Sequence, residues 1–277
     1  MARQHIDFVQ TQFLPWQSGL PGGQRPELRV KVLSRDDQDG SCSVIARYPA
    51  GWERAEPESC EADEEFLVLK GGLTIDDTTY GERTYACLPA GMARNRVRVT
   101  EETVVIAFFN YGPPVFHAGS PRPSSYDERK LVRFIDTRNQ AWVDDEALNG
   151  RFLWLRRDPN TADLSYLQTA RPAVGTGGQA ETHPHAQEMF MLSGELHGGR
   201  GIYRPGSYFW RPQGIKHGPF GSLTGIVLIH RSIGGPLHYD LCQPDEPWRW
   251  NPPHRPIVPD DLRSIAGRIG PTTSLFD

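Results

Sequence analysis

The segment Thr182-His183-Pro184-His185-Ala186-Gln187-Glu188 sets two imidazoles two residues apart and a carboxylate three residues further on. Imidazole nitrogen and carboxylate oxygen are ligands that divalent transition metals take. Pro184 disfavours helical backbone at His183, and in an extended chain residues i and i+2 project from one face, so both rings can converge. Glu188 begins an alternating run with Phe190 and Leu192, which predicts a carboxylate pointing inward among apolar side chains. A carboxylate so placed needs a partner, and a divalent cation held by imidazoles supplies one. His217 ends a second segment, in which Gly206, Pro212, Gly214 and His217 stand at the spacing G-x5-P-x-G-x2-H. His183, His185 and Glu188 are therefore candidate ligands of a divalent metal, and His217 is a further imidazole at a patterned position.

Two further residues are candidates for catalysis. His230 is a polar group inside the apolar run Gly225-Ile-Val-Leu-Ile-His, and it reads either as an acid or base beside the metal or as an edge-strand residue facing solvent. Tyr208 precedes the second segment on the same strand face as Trp210, with Arg211 opposite, and reads as core packing or as a wall of the ligand pocket. His117, His197, His238 and His254 carry no pattern and are read as surface residues.

These side chains need a scaffold of strands. Short runs rich in β-branched and aromatic residues recur between turn signals: Cys42-Ser-Val-Ile-Ala-Arg-Tyr, Phe66-Leu-Val-Leu, Val104-Val-Ile-Ala-Phe-Phe and the run ending at His230. Shifting the sequence by 123 positions lays Pro49-Ala50 on Pro172-Ala173, Glu65 on Glu188, Gly71 on Gly194, Tyr85 on Tyr208 and Val104 on Val227 without a gap. One offset held over such a span indicates a duplicated β domain, with halves at residues 1–140 and 141–277. The segment Asp144-Asp-Glu-Ala-Leu predicts a short capped helix, and Asp260-Asp-Leu-Arg-Ser-Ile-Ala one or two helical turns. Trp248 and Trp250 suggest that the tail docks on the rest of the chain.

Composition narrows the function. Of 277 residues, 38 % are hydrophobic and no apolar run approaches the length that spans a bilayer. A net charge of −4, with no basic block, argues against nucleic acid as a partner and against an anionic membrane surface. The start of the chain lacks the features of a secretory signal, so a cytoplasmic protein is expected. Four widely spaced cysteines form no C-x-x-C pair, and 28 glycines with 24 prolines suit turns between strands better than helices.

The two motifs together, His183-x-His185-x2-Glu188-x5-Gly194 and Gly206-x5-Pro212-x-Gly214-x2-His217, resemble the paired motifs of the cupin superfamily, whose small β-barrel binds a metal through three histidines and a glutamate; the resemblance implies His183, His185, Glu188 and His217 as the ligands of one divalent metal per chain. Two departures stand out: the spacing after His185 is shorter than the common form, and the asparagine often found after the last histidine is missing. The resemblance covers most of the chain and implies an all-β bicupin of two tandem double-stranded β-helix (jelly-roll) domains. It is also similar to bicupins related to the cupins of anti-sigma factors. In the first repeat Cys60, Ala62, Glu65 and Arg94 fall opposite the four expected ligands, so a degenerate, metal-free site is predicted there, with Arg94 paired to Glu65.

Three neutral imidazoles and a carboxylate on an octahedral ion leave about two positions open. With Fe(II), that arrangement implies a dioxygenase-type enzyme acting on a small oxygenated substrate, aromatic or diketone-like. With Mn, Ni or Zn it implies an isomerase, decarboxylase or hydrolase. A closed tetrahedral zinc site would instead imply a non-catalytic sensor of zinc or a small ligand. A homodimer is expected by analogy with other cupins.

Overall fold

The computed structural model describes residues 3–119, 126–145, 150–175 and 178–269. Strands dominate it, and among the described residues no helix is long and apolar enough to cross a membrane. The chain forms two compact units: Arg3 with residues 15–140, and residues 4–14 with 141–277.

Each unit carries a seven-stranded antiparallel sheet. In the first its order is Val132–Asp136, Thr84–Leu88, Asp63–Lys70, Thr103–Asn110, Cys42–Tyr48, Gln24–Arg35, Gln17–Leu20. In the second it is Ile6–Gln10, Ser207–Arg211, Ala186–Gly194, Ile226–Ile233, Leu164–Ala170, Gly150–Arg157, Val143–Asp145. A four-stranded sheet completes each unit: Glu53–Arg54, Val97–Val99, Leu73–Ile75 and Thr78–Tyr80 in one; Val174–Gly175, Gly221–Ser222, Leu196–Gly198 and Gly201–Tyr203 in the other. Two tandem double-stranded β-helix domains result, in which the sequence repeat maps strand onto strand. Gly71 and Gly194, equivalent in the repeat, both take positive φ, where a Cβ would approach Glu102 O to 2.6 Å and Gly225 O to 1.9 Å. Only glycine fits such a turn.

Residues 4–14 differ from the sequence boundary, which grouped them with the first half. Ile6–Gln10 instead pairs with Ser207–Arg211 in register Ile6↔Trp210 and Gln10↔Ser207. Side chains reinforce the pairing: Gln10 Nε2 donates to Ser207 Oγ at 2.7 Å and Thr11 Oγ1 to Gly206 O at 2.8 Å. The strand covers an edge that would otherwise present unpaired backbone groups, the task that Val132–Asp136 performs on Thr84–Leu88 in the first unit.

Asp144 and Asp145 lie in a strand rather than in the helix predicted for them, and the rest of that segment falls outside the described residues. The expected turns near the end form as a 3-10 turn over Asp260–Leu262 and a helix over Arg263–Ala266.

The barrel interiors differ. Val44, Ala46, Phe66, Val68, Ala107 and Phe109 pack the first barrel with apolar side chains. In the second, Met189, Met191, Phe209, Ile226 and Leu228 form an apolar cluster that borders a cavity with polar groups in its wall.

Candidate metal centre

Glu181 and His217 are clamped face to face by their backbones: Glu181 N–H donates to His217 O at 2.9 Å, and His217 N–H to Glu181 O at 3.0 Å. Glu181 belongs to the short strand Ala180–Thr182, paired with Asp240–Cys242. His183 follows two residues later, and its carbonyl accepts from Gly214 N–H at 2.8 Å, which ties this strand to the turn before His217.

The side chains then meet. His183 Nε2 lies 3.3 Å from His217 Nε2 and 3.6 Å from Glu181 Oε1, and His217 Nε2 lies 3.2 Å from Glu181 Oε1. Ligands bonded to one ion at about 2.0–2.2 Å stand roughly 3.0–3.5 Å apart, so the triangle has the dimensions of a coordination face. The unbonded ring nitrogens are anchored. His183 Nδ1 donates to His238 O at 2.6 Å and His217 Nδ1 to Ile215 O at 2.9 Å. A carbonyl only accepts, so each Nδ1 carries the proton and each Nε2 presents a lone pair to the centre. Burial, reinforced by the charge of Arg211, lowers the His217 pKa and keeps the ring neutral. Burial alone would raise the Glu181 pKa, but its contacts with His183 and His217 outweigh it and hold the carboxyl ionised. Two neutral imidazoles and a carboxylate fit a divalent ion.

The family comparison can be set against this geometry. A family described as a domain of unknown function, DUF4437, matches residues 8–235, most of the chain. The chain belongs to the DUF4437 family. Among curated proteins, none matches its sequence. Solved structures similar to this DUF4437 chain include a protein of Nostoc punctiforme PCC 73102 provisionally named a dioxygenase, with 17% identity, 88% of this chain and 92% of that chain covered, and a TM-score of 0.76. Vicilin from hazelnut, Corylus avellana, shares 12% identity over 85% of this chain and 87% of its own, with a TM-score of 0.55. Bacillus subtilis oxalate decarboxylase, described with Mn(II) centres, shares 12% identity over 85% of this chain and 78% of its own, with a TM-score of 0.53. At such identities the likeness concerns the fold. It is a likeness of architecture alone and carries no tie to the cupins of anti-sigma factors.

Of the four ligands read from the DUF4437 sequence, the structure brings together His183 and His217. His185 is buried at 2 % exposure, its ring 5.0 Å from that of His183, and neither of its nitrogens has a hydrogen-bond partner among the described residues; it stands outside the triangle. Burial, and then the neighbouring His183 and His238, push its pKa down to about 4. Glu188 points the other way. Gln187 and Met189 line the cavity, so the strand alternation turns Glu188 to the opposite face, where it accepts from Tyr208 Oη at 2.6 Å and pairs with Arg231 across the sheet. A buried carboxylate does need a partner, and here it is a guanidinium. Tyr208 is thereby corrected too: it is wholly buried on that face, away from the cavity. Glu181 was missed, although the i, i+2 rule that paired His183 with His185 applies equally to Glu181 with His183. The short spacing after His185 was the available signal, since counting from Glu181 and His183 lengthens it by two residues.

The cavity beside the triangle has a volume of about 80 Å³, room for several waters or a small molecule. Met189, Phe209, Phe220 and Leu228 give it an apolar wall, broken by Gln168, Gln187, His230 and Tyr239. Gln187 Oε1 and His230 Nε2 are buried with no hydrogen-bond partner among the described residues. Gln187 Oε1 is thus a further donor that a bound ion could take. Among the histidines read as surface residues, two are packed instead: His197 is 4 % exposed with Nδ1 bonded to Trp250 O at 2.5 Å, and His254 stacks edge-on against Phe8 and bonds Ala266 O. The Trp250 contact shows the tail docked within its own unit.

The first barrel of this DUF4437 chain keeps the backbone clamp and changes the chemistry. Glu58 and Arg94 pair as Glu181 and His217 do, and Cys60 and Glu64 take the places of His183 and Gln187. Arg94 pairs with Glu64, and Arg25 with Glu58, all buried. Burial alone would lower the Arg94 pKa, and Glu64, Cys60 and Glu58 raise it, so a permanent cation stands among these acids. Burial pushes the Cys60 thiol up to about 12, leaving it uncharged. The predicted partner, Glu65, faces away as Glu188 does and accepts from Tyr85 Oη and Asn110 Nδ2, each at 2.8 Å.

Proposed function

We propose that this chain is a metal-dependent enzyme of the non-haem Fe(II) dioxygenase type, acting on a small oxygenated molecule in the second barrel. One observation carries the reading: Glu181, His183 and His217 form a two-histidine, one-carboxylate triangle with both Nε2 lone pairs directed at its centre. Such a face, with open positions beside it, suits non-haem iron.

Glu181, His183 and His217 would hold the ion. When bound, it supplies Lewis acidity and, as Fe(II), a position for O2 beside the substrate. The remaining work falls to the protein. The carbonyls of His238 and Ile215 fix the orientation of the two rings, the apolar wall excludes bulk water, and Gln168, Gln187 and His230 offer hydrogen bonds that orient an oxygenated substrate. The cavity beside the triangle supports catalysis over a closed zinc sensor. A second reading keeps the ligands and replaces oxygen chemistry with proton transfer on Mn, Ni or Zn; the unpartnered His230 Nε2 favours it.

The test is elemental analysis of protein purified anaerobically without chelator, alongside Glu181→Ala and His185→Ala. About one iron per chain, lost from Glu181→Ala and retained by His185→Ala, is the expected outcome. O2 uptake with a panel of enols, diketones and catechols then separates the two readings. No metal in the wild type would end both.

A further inference from the structure

His230 is the one imidazole in the cavity wall that the metal triangle does not use, and three features of its surroundings converge. Its Nδ1 lies 3.2 Å from Gln168 Oε1 and 3.2 Å from Tyr166 Oη. The amide oxygen only accepts, and Tyr166 has Tyr239 as a second hydrogen-bonding neighbour. Nδ1 therefore carries the ring proton, and Nε2 holds a bare lone pair. That Nε2 is buried, has no hydrogen-bond partner among the described residues and belongs to a residue lining the cavity that Glu181 and His217 also line. Leaving a buried acceptor unsatisfied is unfavourable, and a ligand donating to it would recover that loss.

The repeat supplies an independent control. His230 pairs with Tyr166 across the sheet, as Ala107 pairs with Val44 in the first barrel. Following that register, Tyr166, Gln168 and His230 correspond to Val44, Ala46 and Ala107, all core residues. The barrel without the imidazole ligands also lacks the entire trio, so its polar members accompany the metal triangle rather than the fold.

We propose that His230 Nε2 accepts the proton of a substrate hydroxyl at the metal site, and that the substrate is a small uncharged chelator with an acidic hydroxyl, such as an enol or an α-hydroxyketone, on an apolar body. In the step, the substrate O–H bond breaks, an Nε2–H bond forms, and the electron pair remains on the substrate oxygen. Burial foremost, with the charge of Arg211 added, disfavours the protonated ring, so before substrate binds it accepts rather than donates. Arg211, the guanidinium in the wall, is already held by Asp7 at 3.2 Å and Tyr203 Oη at 2.7 Å. Its charge is matched by that of Asp7, and Met189, Phe209 and Leu228 suit an apolar remainder.

The inference rests on the metal-enzyme reading, and the experiment separates the two. Anaerobic Fe(II)-loaded protein, its iron measured on the same sample, is titrated calorimetrically with acetohydroxamic acid, an uncharged chelator that gives up one proton on coordination. Repeating the titration in buffers of different ionisation enthalpy counts the protons released. Wild type is expected to release almost none, because the proton passes to His230. His230→Gln, which cannot take a proton, is expected to release about one and to bind roughly 10- to 100-fold more weakly. His230→Ala, bearing the residue type of the first barrel, is expected to do the same. Equal proton counts and affinities in iron-loaded wild type and both variants would overturn the inference, as would iron-loaded wild type that does not bind the probe. Wild type that holds no iron would overturn the metal-enzyme reading and this inference with it.

Discussion

At the level of single residues, neighbouring positions on one strand have opposite fates. Gln187 faces the cavity and Glu188 a guanidinium, so a carboxylate with every outward sign of a ligand is an ion-pair partner. His230 shows how burial shapes a functional group. Around it stand Tyr166, Gln168, Met189 and Phe209, with the charges of His183, Glu181, Arg211 and His185 nearby. Burial and the nearby positive charges place its folded pKa well below the ordinary value of 6.5. Below that value the unfolded chain binds a proton that the folded chain refuses, so folding stability falls as pH drops. Metal-free wild type should therefore lose more stability between pH 7.5 and 5.5 than His230→Gln does. Urea denaturation at both values measures the difference, and equal losses would show that His230 is not held neutral.

Strand pairing decides what these residues can reach. The repeat was legible because its glycines, prolines and alternating apolar positions answer local backbone demands, and the offset of 123 relates Asp63–Lys70, Thr84–Leu88 and Thr103–Asn110 to their counterparts in the second sheet. The metal site was half legible. His183 and His217 followed from type and spacing, whereas Glu181 depended on the backbone clamp to His217, a contact between distant segments that no local pattern encodes. The place of Ile6–Gln10 was hidden for the same reason, since any open edge would satisfy its hydrogen bonds. Its anchor is Phe8, 1 % exposed, with its ring 4.3 Å from that of Tyr203. Phe8→Ala should cost about 3–5 kcal/mol by chemical denaturation, as deletion of a buried aromatic ring does. Although the residue lies near the start of the sequence, the loss should appear as poorer metal retention by the second barrel. Unchanged retention would mean that this strand does not support the site.

Over the whole molecule, duplication has given two solutions to one electrostatic problem. Both barrels gather acids and polar groups where their backbones clamp position 58 to 94 or 181 to 217, and each needs a cation there. The second barrel lines the place with Glu181, His183 and His217, which would hold a metal, while the first fills it with the guanidinium of Arg94 against Glu64. An internal pair of this kind is costly to break and inexpensive to replace as a unit. Arg94→Leu strands a buried carboxylate and should destabilise the protein by about 3–5 kcal/mol, whereas Arg94→Leu with Glu64→Leu should recover most of that loss. His217→Ala should have the converse profile, releasing the metal with little effect on metal-free stability, because the triangle is organised around an ion rather than around an internal charge. Denaturant midpoints for the three variants, with metal content measured on the same samples, would test the contrast. Additive losses in the double variant would mean that Arg94 and Glu64 do not compensate one another, and that the first barrel is held together by packing alone.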